Sequence, residues 1–163
     1  MAKSLVSLLK NKRILFVEPN EGARLALKER FEKLGATVYV VGQVEKLKSL
    51  VEGAVASDQL FDIIVADVEL PGTFGFYAIK VMKEALKGRK IPMFVMSAHF
   101  SKSALEQLVR WRVLGYIRKP LKLSDLENFI LDRYIFFAET VLEYKKHNDQ
   151  FRIDESELRK KVS

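Results

Sequence analysis

The sequence DIIVADVELPG, from Asp62 to Gly72, contains a short, continuous apolar run that ends on the acidic residue Asp67. Continuous apolar runs are typical of strands that are covered on both faces, as in a parallel sheet between two layers of helices. Ile63–Ala66 is therefore predicted to be a buried strand, and Asp67 is predicted to stand at its carboxyl end.

Similar runs occur on both sides of this strand, and helical patterns separate them. The predicted strands are Arg13–Val17, Thr37–Val41, Ile63–Ala66, Pro92–Met96 and Gly115–Arg118. The predicted helices are Glu21–Leu34, Val44–Val55, Phe74–Leu86, Ser101–Arg112 and a last one that Ser124 opens, with Glu127 completing a capping box. Five strands alternating with five helices predict a doubly wound α/β fold with a five-stranded parallel sheet.

The composition excludes several classes of site. The chain has 163 residues, which corresponds to one domain with a short appendage. It has no cysteine, which excludes thiol catalysis, disulfides, thiolate zinc sites and cysteine-ligated iron–sulfur clusters. Its two histidines, His99 and His147, are far apart in the sequence, so a histidine-rich metal centre is not expected.

The net charge of +7 arises in the first three quarters of the chain, where residues 1–123 include 21 basic and 12 acidic side chains. These basic residues form only short clusters, so nucleic-acid binding is not expected. The apolar patch within the first ten residues is too short for a signal sequence, and no later segment is apolar enough to span a membrane. A cytoplasmic location without a membrane partner is predicted.

Chemically active side chains follow four of the five predicted strands. They are Glu18, Asp67, Ser97 and Lys119, the last directly before Pro120. Sites in doubly wound sheets lie in the crevice at the carboxyl ends of the strands, so these groups are expected to converge. Two carboxylates can hold Mg²⁺, which prefers oxygen ligands, while a hydroxyl and an ammonium can bind phosphoryl oxygens. Asp67 is the candidate nucleophile, because carboxylates form acyl phosphates.

Four motifs in this order resemble those of the receiver domains of two-component response regulators. They are ILFVE at 14–18, DIIVADVELPG at 62–72, IPMFVMSA at 91–98 and GYIRKPL at 115–121. The separations of 30 residues from Asp67 to Ser97 and 52 residues from Asp67 to Lys119 are also similar to those of the family. The resemblance covers roughly residues 11–132 and implies a flavodoxin-like sheet with strand order 2-1-3-4-5.

The resemblance further implies roles for single residues. Asp67 would be the phosphoacceptor, Ser97 the hydroxyl switch residue, and Lys119 the lysine before the family's cis-proline position at Pro120. Tyr116 would be the switch aromatic on the fifth strand. The phosphoryl donor would be a histidine kinase or a phosphotransfer protein, and no enzymatic activity beyond Mg²⁺-dependent self-phosphorylation and dephosphorylation is implied.

The metal site departs from the family's pattern. The resemblance implies that Mg²⁺ is bound by the carboxylates of Glu18 and Asp67 and by the backbone carbonyl of Glu69. The family normally has a second acid directly after the first strand, but here that position is Pro19, which has no carboxylate and no N–H. Asn20 is one place too far along to be taken as a substitute. We expect weakened Mg²⁺ binding.

The last predicted helix continues well beyond the sheet, from Ser124 to about His147, which is roughly 36 Å at 1.5 Å per residue. It has two apolar stripes and the segment YIFFA at 134–138, so a homodimer or partner surface is predicted. The alternative is that this overhang folds back against the apolar segment SLVSLL near the N-terminus. The predicted organisation is an N-terminal segment at 1–10, a receiver-like domain at 11–132 and a C-terminal helical extension at 133–163.

Two functions from different classes remain open. The first is a response regulator that is phosphorylated on Asp67 and signals through the face formed by the fourth helix, fifth strand and fifth helix, where basic residues are frequent between Lys102 and Lys122. That face is also a candidate homodimer surface. The second is a phosphorylation-independent pseudo-receiver that acts as an interaction or dimerisation module. A hydrolase on the same fold is a third reading, but no nucleophile–base pair supports it.

Overall fold

A computed structural model describes residues 8–72, 76–120 and 122–133 of the chain. In chain order the elements are β1 (Arg13–Val17), α1 (Glu21–Lys33), β2 (Thr37–Val41), α2 (Val44–Ala56), β3 (Ile63–Asp67), α3 (Tyr77–Ala85), β4 (Met93–Ser97), α4 (Lys102–Trp111) and β5 (Gly115–Arg118). A last helix, α5, begins at residue 123 and continues to residue 133, where the described part ends.

The five strands form one parallel sheet in the order β2-β1-β3-β4-β5, which confirms the predicted architecture. Val17 of β1 pairs with Ala66 of β3, so the residues that follow them, Glu18 and Asp67, emerge side by side. All five strands are parallel, so their carboxyl ends lie along one edge of the sheet. We call this edge the carboxyl edge.

Two apolar layers cover the sheet, because successive strand side chains point to opposite faces. One layer contains Leu15 and Val17 of β1 together with buried residues of α2, α3 and α4. The other contains Ile14 and Phe16 of β1 together with residues of α1 and α5. Because both faces are covered, the strands are continuous apolar runs, and β3 and β4 are buried along their whole length.

Local signals mark the starts of two helices and the end of α1. The Asn20 side chain caps α1 by accepting a hydrogen bond from the Ala23 N–H at 2.8 Å, and Ser101 caps α4 in the same way. After α1 the chain turns at Gly35, whose φ of +90° suits glycine. The start of α3 differs from the prediction, since Tyr77 and not Phe74 is its first residue.

The predicted capping box at the start of α5 is wrong. The helix begins before Ser124, and the N–H groups of Asp125 and Leu126 both donate to the Lys122 carbonyl at 3.1 Å. Glu127 is only 6% exposed and its carboxylate accepts from the Arg30 guanidinium, with one contact at 3.2 Å. The Arg30 guanidinium of α1 therefore binds the Glu127 carboxylate, which the sequence pattern had assigned to capping α5.

Several predicted features lie outside the described residues. These are the N-terminal segment up to residue 7, residues 74 and 75 of the predicted third helix, and the extension from residue 134 onwards with the parts of its apolar stripes that lie there. Within the described ranges, none of the helices combines the length and the apolar character needed to cross a bilayer.

A glycine in β5 makes room for α5. A Cβ atom at Gly115 would lie 2.6 Å from Cζ of Phe129, whose ring also packs edge-on against Phe94. We expect Gly115→Ala to lower the free energy of unfolding by about 2 kcal/mol, because the aromatic ring must move within a packed layer. Denaturant unfolding monitored by circular dichroism measures this change.

Gly53→Ala is the matched control. Gly53 lies in the exposed surface of α2 with nothing within 4 Å of an added Cβ, so alanine there is expected to raise stability by about 0.5–1 kcal/mol. If both substitutions changed stability in the same direction, the proposed contact between β5 and α5 would be contradicted.

Candidate functional site

The centre of the carboxyl edge is an ammonium group between two buried carboxylates. Glu18 follows β1 and Asp67 ends β3, and each is 2% exposed. Lys119 follows β5, and its Nζ lies 2.6 Å from Oε2 of Glu18 and also contacts Oδ2 of Asp67. The long lysine side chain reaches across from β5, on the far side of β4 from Asp67. The structure thus brings together three of the four predicted strand-end groups.

The remaining carboxylate oxygens receive backbone hydrogen bonds from the residues just beyond. Oδ1 of Asp67 accepts from the Glu69 N–H at 2.7 Å, and Oε1 of Glu18 accepts from the Asn20 N–H at 3.2 Å. All four carboxylate oxygens therefore have a donor from the chain itself. Such complete pairing is what allows two acids to be buried together.

Burial, hydrogen bonds and charges in this cluster shift the pKa values of Asp67 and Lys119. Burial raises the pKa of Asp67, and the negative charge of Glu18 acts in the same direction, whereas the bonds from Lys119 and the Glu69 N–H oppose the rise. Burial of Lys119 favours its neutral form, but the hydrogen bonds and charges of Asp67 and Glu18 outweigh it and raise the pKa of Lys119. Lys119 is therefore a cation at neutral pH.

The fourth predicted group, Ser97, has different neighbours. It is 1% exposed, and its Oγ lies 2.7 Å from Oε1 of Glu69 and 2.9 Å from the carbonyl oxygen of His99. The His99 N–H donates to the same Oγ at 3.1 Å. The Ser97 backbone remains close to the cluster, because its carbonyl accepts from the Lys119 N–H at 2.8 Å. The hydroxyl itself is directed to Glu69.

Tyr116 lies on β5 with its side chain 49% exposed. Its ring packs against Phe100, with the ring centroids 5.1 Å apart and the planes inclined by 57°. Phe100 lies in the loop that joins Ser97 to α4, so a ring contact connects the exposed aromatic to the loop that follows β4. The Lys119-Pro120 peptide bond is cis.

The oxygen atoms of this cluster are of the type that binds a hard divalent cation, but the cluster has few of them. Carboxylate and carbonyl oxygens of Glu18, Asp67 and Glu69 are ligands that Mg²⁺ accepts. Pro19 adds no ligand from its side chain, and the Asn20 side chain is engaged in capping α1. Among the described residues, no group of three or more acidic, histidine or cysteine side chains is arranged to hold a metal. Glu18, Asp67 and Glu69 thus offer two buried carboxylates and one backbone carbonyl at this edge.

Sequence reasoning missed two contributors to this edge. The Glu69 carboxylate was overlooked because only its backbone carbonyl was considered, although a charged residue two places after Asp67 was a visible signal. Arg24 is a second case, because it lies in a helix, six residues after Glu18, and no pattern in the sequence marks its contact with the loop. Its Nη1 donates to the carbonyls of Glu18 and Pro19 at 2.9 and 2.8 Å.

Replacing Lys119 with methionine removes the counter-charge of two buried acids. We expect Lys119→Met to lower the free energy of unfolding by about 3 kcal/mol at about pH 8. The loss should shrink towards about pH 5, because the pKa of the native Asp67, already raised by burial, rises further without Lys119. Asp67 then takes up a proton in the folded state that the unfolded chain does not. Denaturant unfolding at the two pH values measures both effects.

Lys33→Met is the control, since the Lys33 ammonium is paired at 3.0 Å with Glu29 on the exposed surface of α1. It should change stability by no more than about 0.5 kcal/mol at either pH. A loss in Lys119→Met that is the same at both pH values would contradict the description of the cluster.

Comparison with known proteins places this geometry in a family. Residues 14–131 match the family model described as "Response regulator receiver domain". Among curated proteins, the two-component response regulators ARR18 and ARR15 of Arabidopsis thaliana are 28% identical over 116 residues and 31% identical over 70 residues. The matched segments are 71% and 43% of this chain but only 17% and 34% of those proteins. The chain thus spans a minor part of the length of these relatives.

Solved structures show the same fold. The receiver domain of the sensor histidine kinase PA1611 from Pseudomonas aeruginosa PAO1, crystallised with a magnesium ion in its active-site cleft, is 26% identical with a TM-score of 0.61, covering 77% of this chain and 98% of that one. The receiver domain of the histidine kinase CKI1 from Arabidopsis thaliana has a TM-score of 0.66 at 22% identity, covering 80% and 95%. The family match over most of the chain, on a sheet of order 2-1-3-4-5, shows that the chain belongs to the receiver-domain family of response regulators.

Proposed function

We propose that this chain is a signalling receiver that accepts a phosphoryl group on Asp67 from a histidine kinase or a phosphotransfer protein. The observation that carries the proposal is the contact of the Lys119 ammonium with both Glu18 and Asp67 at the carboxyl edge. Asp67 is a nucleophile at the end of a buried strand, with a fixed cation beside it. In this proposal the chain is a phosphoacceptor in a two-component pathway and not a classical enzyme. Its proposed location is the cytoplasm.

The proposed transfer uses three side chains of the chain, those of Asp67, Lys119 and Ser97. A carboxylate oxygen of Asp67 attacks phosphorus, an acyl phosphate bond forms, and the bond from phosphorus to the donor's nitrogen or oxygen breaks, with its electron pair leaving on the donor. The Lys119 ammonium then pairs with a phosphoryl oxygen in place of the Asp67 carboxylate. The Ser97 hydroxyl would leave Glu69 and donate to another phosphoryl oxygen.

Mg²⁺ is the proposed cofactor, bound weakly by the carboxylates of Glu18 and Asp67 and by the backbone carbonyl of Glu69. When bound, it would neutralise negative charge on the phosphoryl oxygens. The oxygen donors support this assignment, and Pro19 supports the weakness of the site, since it supplies no carboxylate where the family has a second acid.

The proposed output surface is the face formed by α4, β5 and α5. Tyr116 is half-exposed there and contacts Phe100, which follows β4 and therefore lies close in sequence to Ser97. A change at Ser97 would reach Tyr116 through this loop. The basic side chains exposed in this region of the chain are Lys102, Arg110, Arg112, Arg118 and Lys122. Their charge favours an acidic protein partner, or a homodimer contact that involves acidic residues elsewhere.

A specific observation also favours the second function, a pseudo-receiver that works without phosphorylation. All four carboxylate oxygens of Glu18 and Asp67 are already satisfied by donors of the chain, and Pro19 provides no third acid. Such an edge is stable without a metal or a phosphoryl group. The chain would then act as an interaction or dimerisation module, through the face of α4, β5 and α5 or through its C-terminal extension.

A phosphorylation assay separates the two functions. Incubation with acetyl phosphate and Mg²⁺ should add one phosphoryl group, observed by intact-mass spectrometry and removed by hydroxylamine, which cleaves acyl phosphates. Asp67→Asn must abolish the adduct, because the amide nitrogen is not a nucleophile. The fluorescence of Trp111, which is half-buried in α4, is recorded with and without Mg²⁺ in the same sample.

The two functions give opposite results in this assay. An adduct that depends on Asp67 supports the phosphorylated receiver, even if it forms slowly. The absence of both an adduct and a Mg²⁺-dependent change in Trp111 fluorescence would exclude it and favour the pseudo-receiver.

Restoring the missing acid should strengthen the metal site. We expect Pro19→Asp to raise Mg²⁺ affinity about tenfold, because it adds a third carboxylate next to Glu18. Isothermal titration calorimetry measures the affinity. Asn20→Asp is the matched control: it adds the same charge one residue later, where the side chain caps α1, and should have a smaller effect. Equal gains in the two variants would show that only net charge matters.

A further inference from the structure

Arg24 lies in the first turns of α1, but its guanidinium is directed back to the loop between β1 and α1. Its Nη1 donates to the carbonyl of Glu18 at 2.9 Å and to the carbonyl of Pro19 at 2.8 Å. Both hydrogen bonds carry a positive charge on the donor, which makes them stronger than neutral ones. One nitrogen thus holds two consecutive backbone carbonyls at the carboxyl edge.

Gly42 makes this arrangement possible. It follows β2 directly, and a Cβ atom there would lie 2.2 Å from Nη1 of Arg24 and 3.0 Å from the carbonyl oxygen of Glu18. The φ angle of Gly42 is not in the left-handed region, unlike those of Gly35, Gly72 and Gly88. A glycine is therefore needed at 42 for space and not for backbone conformation. The atom that needs most of the space is the Arg24 guanidinium nitrogen.

The loop depends on Arg24 because its other polar groups are already committed. The Glu18 N–H donates to the Val41 carbonyl at 2.9 Å, and its carboxylate accepts from the Asn20 N–H and from Lys119. Pro19 has no N–H, so the Glu18 carbonyl is the one backbone polar group of the Glu18–Pro19 peptide unit. Without Arg24, the carbonyls of Glu18 and Pro19 lose their charged donor.

We propose that Arg24 is a positioning residue for the carboxyl edge. Its guanidinium holds residues 18–20 so that the Glu18 carboxylate faces Asp67 and Lys119, and Gly42 is the gap that admits it. Arg24 does not touch the reacting atoms and acts through Glu18. The inference rests on the proposed function only in assuming that Glu18 takes part in the site. Its first test measures the loop itself and does not depend on phosphorylation.

Amide hydrogen exchange measured by NMR tests the proposal. In Arg24→Ala and in Gly42→Ala, we expect the Glu18 amide to exchange about tenfold faster than the change in global stability accounts for. The Asn20 amide resonance should shift in both variants, because its bond to the Glu18 carboxylate is disturbed. Gly42→Ala chiefly displaces the end of the flexible Arg24 side chain, since its Cβ would be 2.2 Å from Nη1 of Arg24 and 3.0 Å from the Glu18 carbonyl oxygen. This variant keeps the test valid if Arg24→Ala folds poorly.

Arg30→Ala is the matched control, because Arg30 is on the same helix and pairs with Glu127 of α5, away from the loop. It should lower global stability without a selective effect at Glu18 or Asn20. If exchange at Glu18 in Arg24→Ala only followed global stability, as in Arg30→Ala, Arg24 would be a structural residue and the proposal would be overturned.

A double variant tests the link between the two residues. In the Arg24→Ala background, Gly42→Ala should increase Glu18 exchange less than it does in the wild type, because the displaced group is already absent. Equal effects in both backgrounds would overturn the pairing of Gly42 with Arg24. Acetyl phosphate labelling then separates the two proposals: absence of labelling in the wild type refutes the proposed function alone, whereas unchanged exchange refutes this one.

Discussion

The arrangement of this protein depends on one ammonium group placed between two buried carboxylates. Glu18 and Asp67 are each 2% exposed, and two acids so deeply buried would be strongly unfavourable as anions without a nearby cation. Lys119 supplies that cation from a strand two places away from β3 in the sheet. The strand order, the register of β1 against β3 and the reach of a lysine side chain must all agree for this cluster to exist.

The loop after β1 shows how such an edge is organised around a proline. Every polar group of Glu18 has a partner from the chain, including the carbonyl that accepts from Arg24. Pro19 supplies neither a carboxylate nor an N–H to this edge. The two proposed functions share this geometry and differ only in whether a phosphoryl group ever displaces Lys119 from Asp67.

Much of the fold could be predicted because its signals are local. The bounds of β1, β2 and β5 agree with the prediction, since apolar runs covered on both faces end where polar residues begin. The prediction of a capping box at Ser124 and Glu127 was wrong because the contact that decides it is not local. Arg30, the partner of Glu127, lies 97 residues earlier, and no pattern within four residues can reveal a contact between α1 and α5.

The candidate site also has features that the sequence predicts and features that depend on distant contacts. The sequence by itself determined which groups stand at the strand ends, because the positions of Glu18, Asp67, Ser97 and Lys119 follow from where each apolar run stops. Only the tertiary structure decided their partners: the Ser97 hydroxyl meets the Glu69 carboxylate, and Arg24 fills the space beside Gly42. The physical reason is that strand positions follow from local hydrophobic burial, whereas hydrogen-bond partners depend on register, rotamer and distance between segments far apart in the chain.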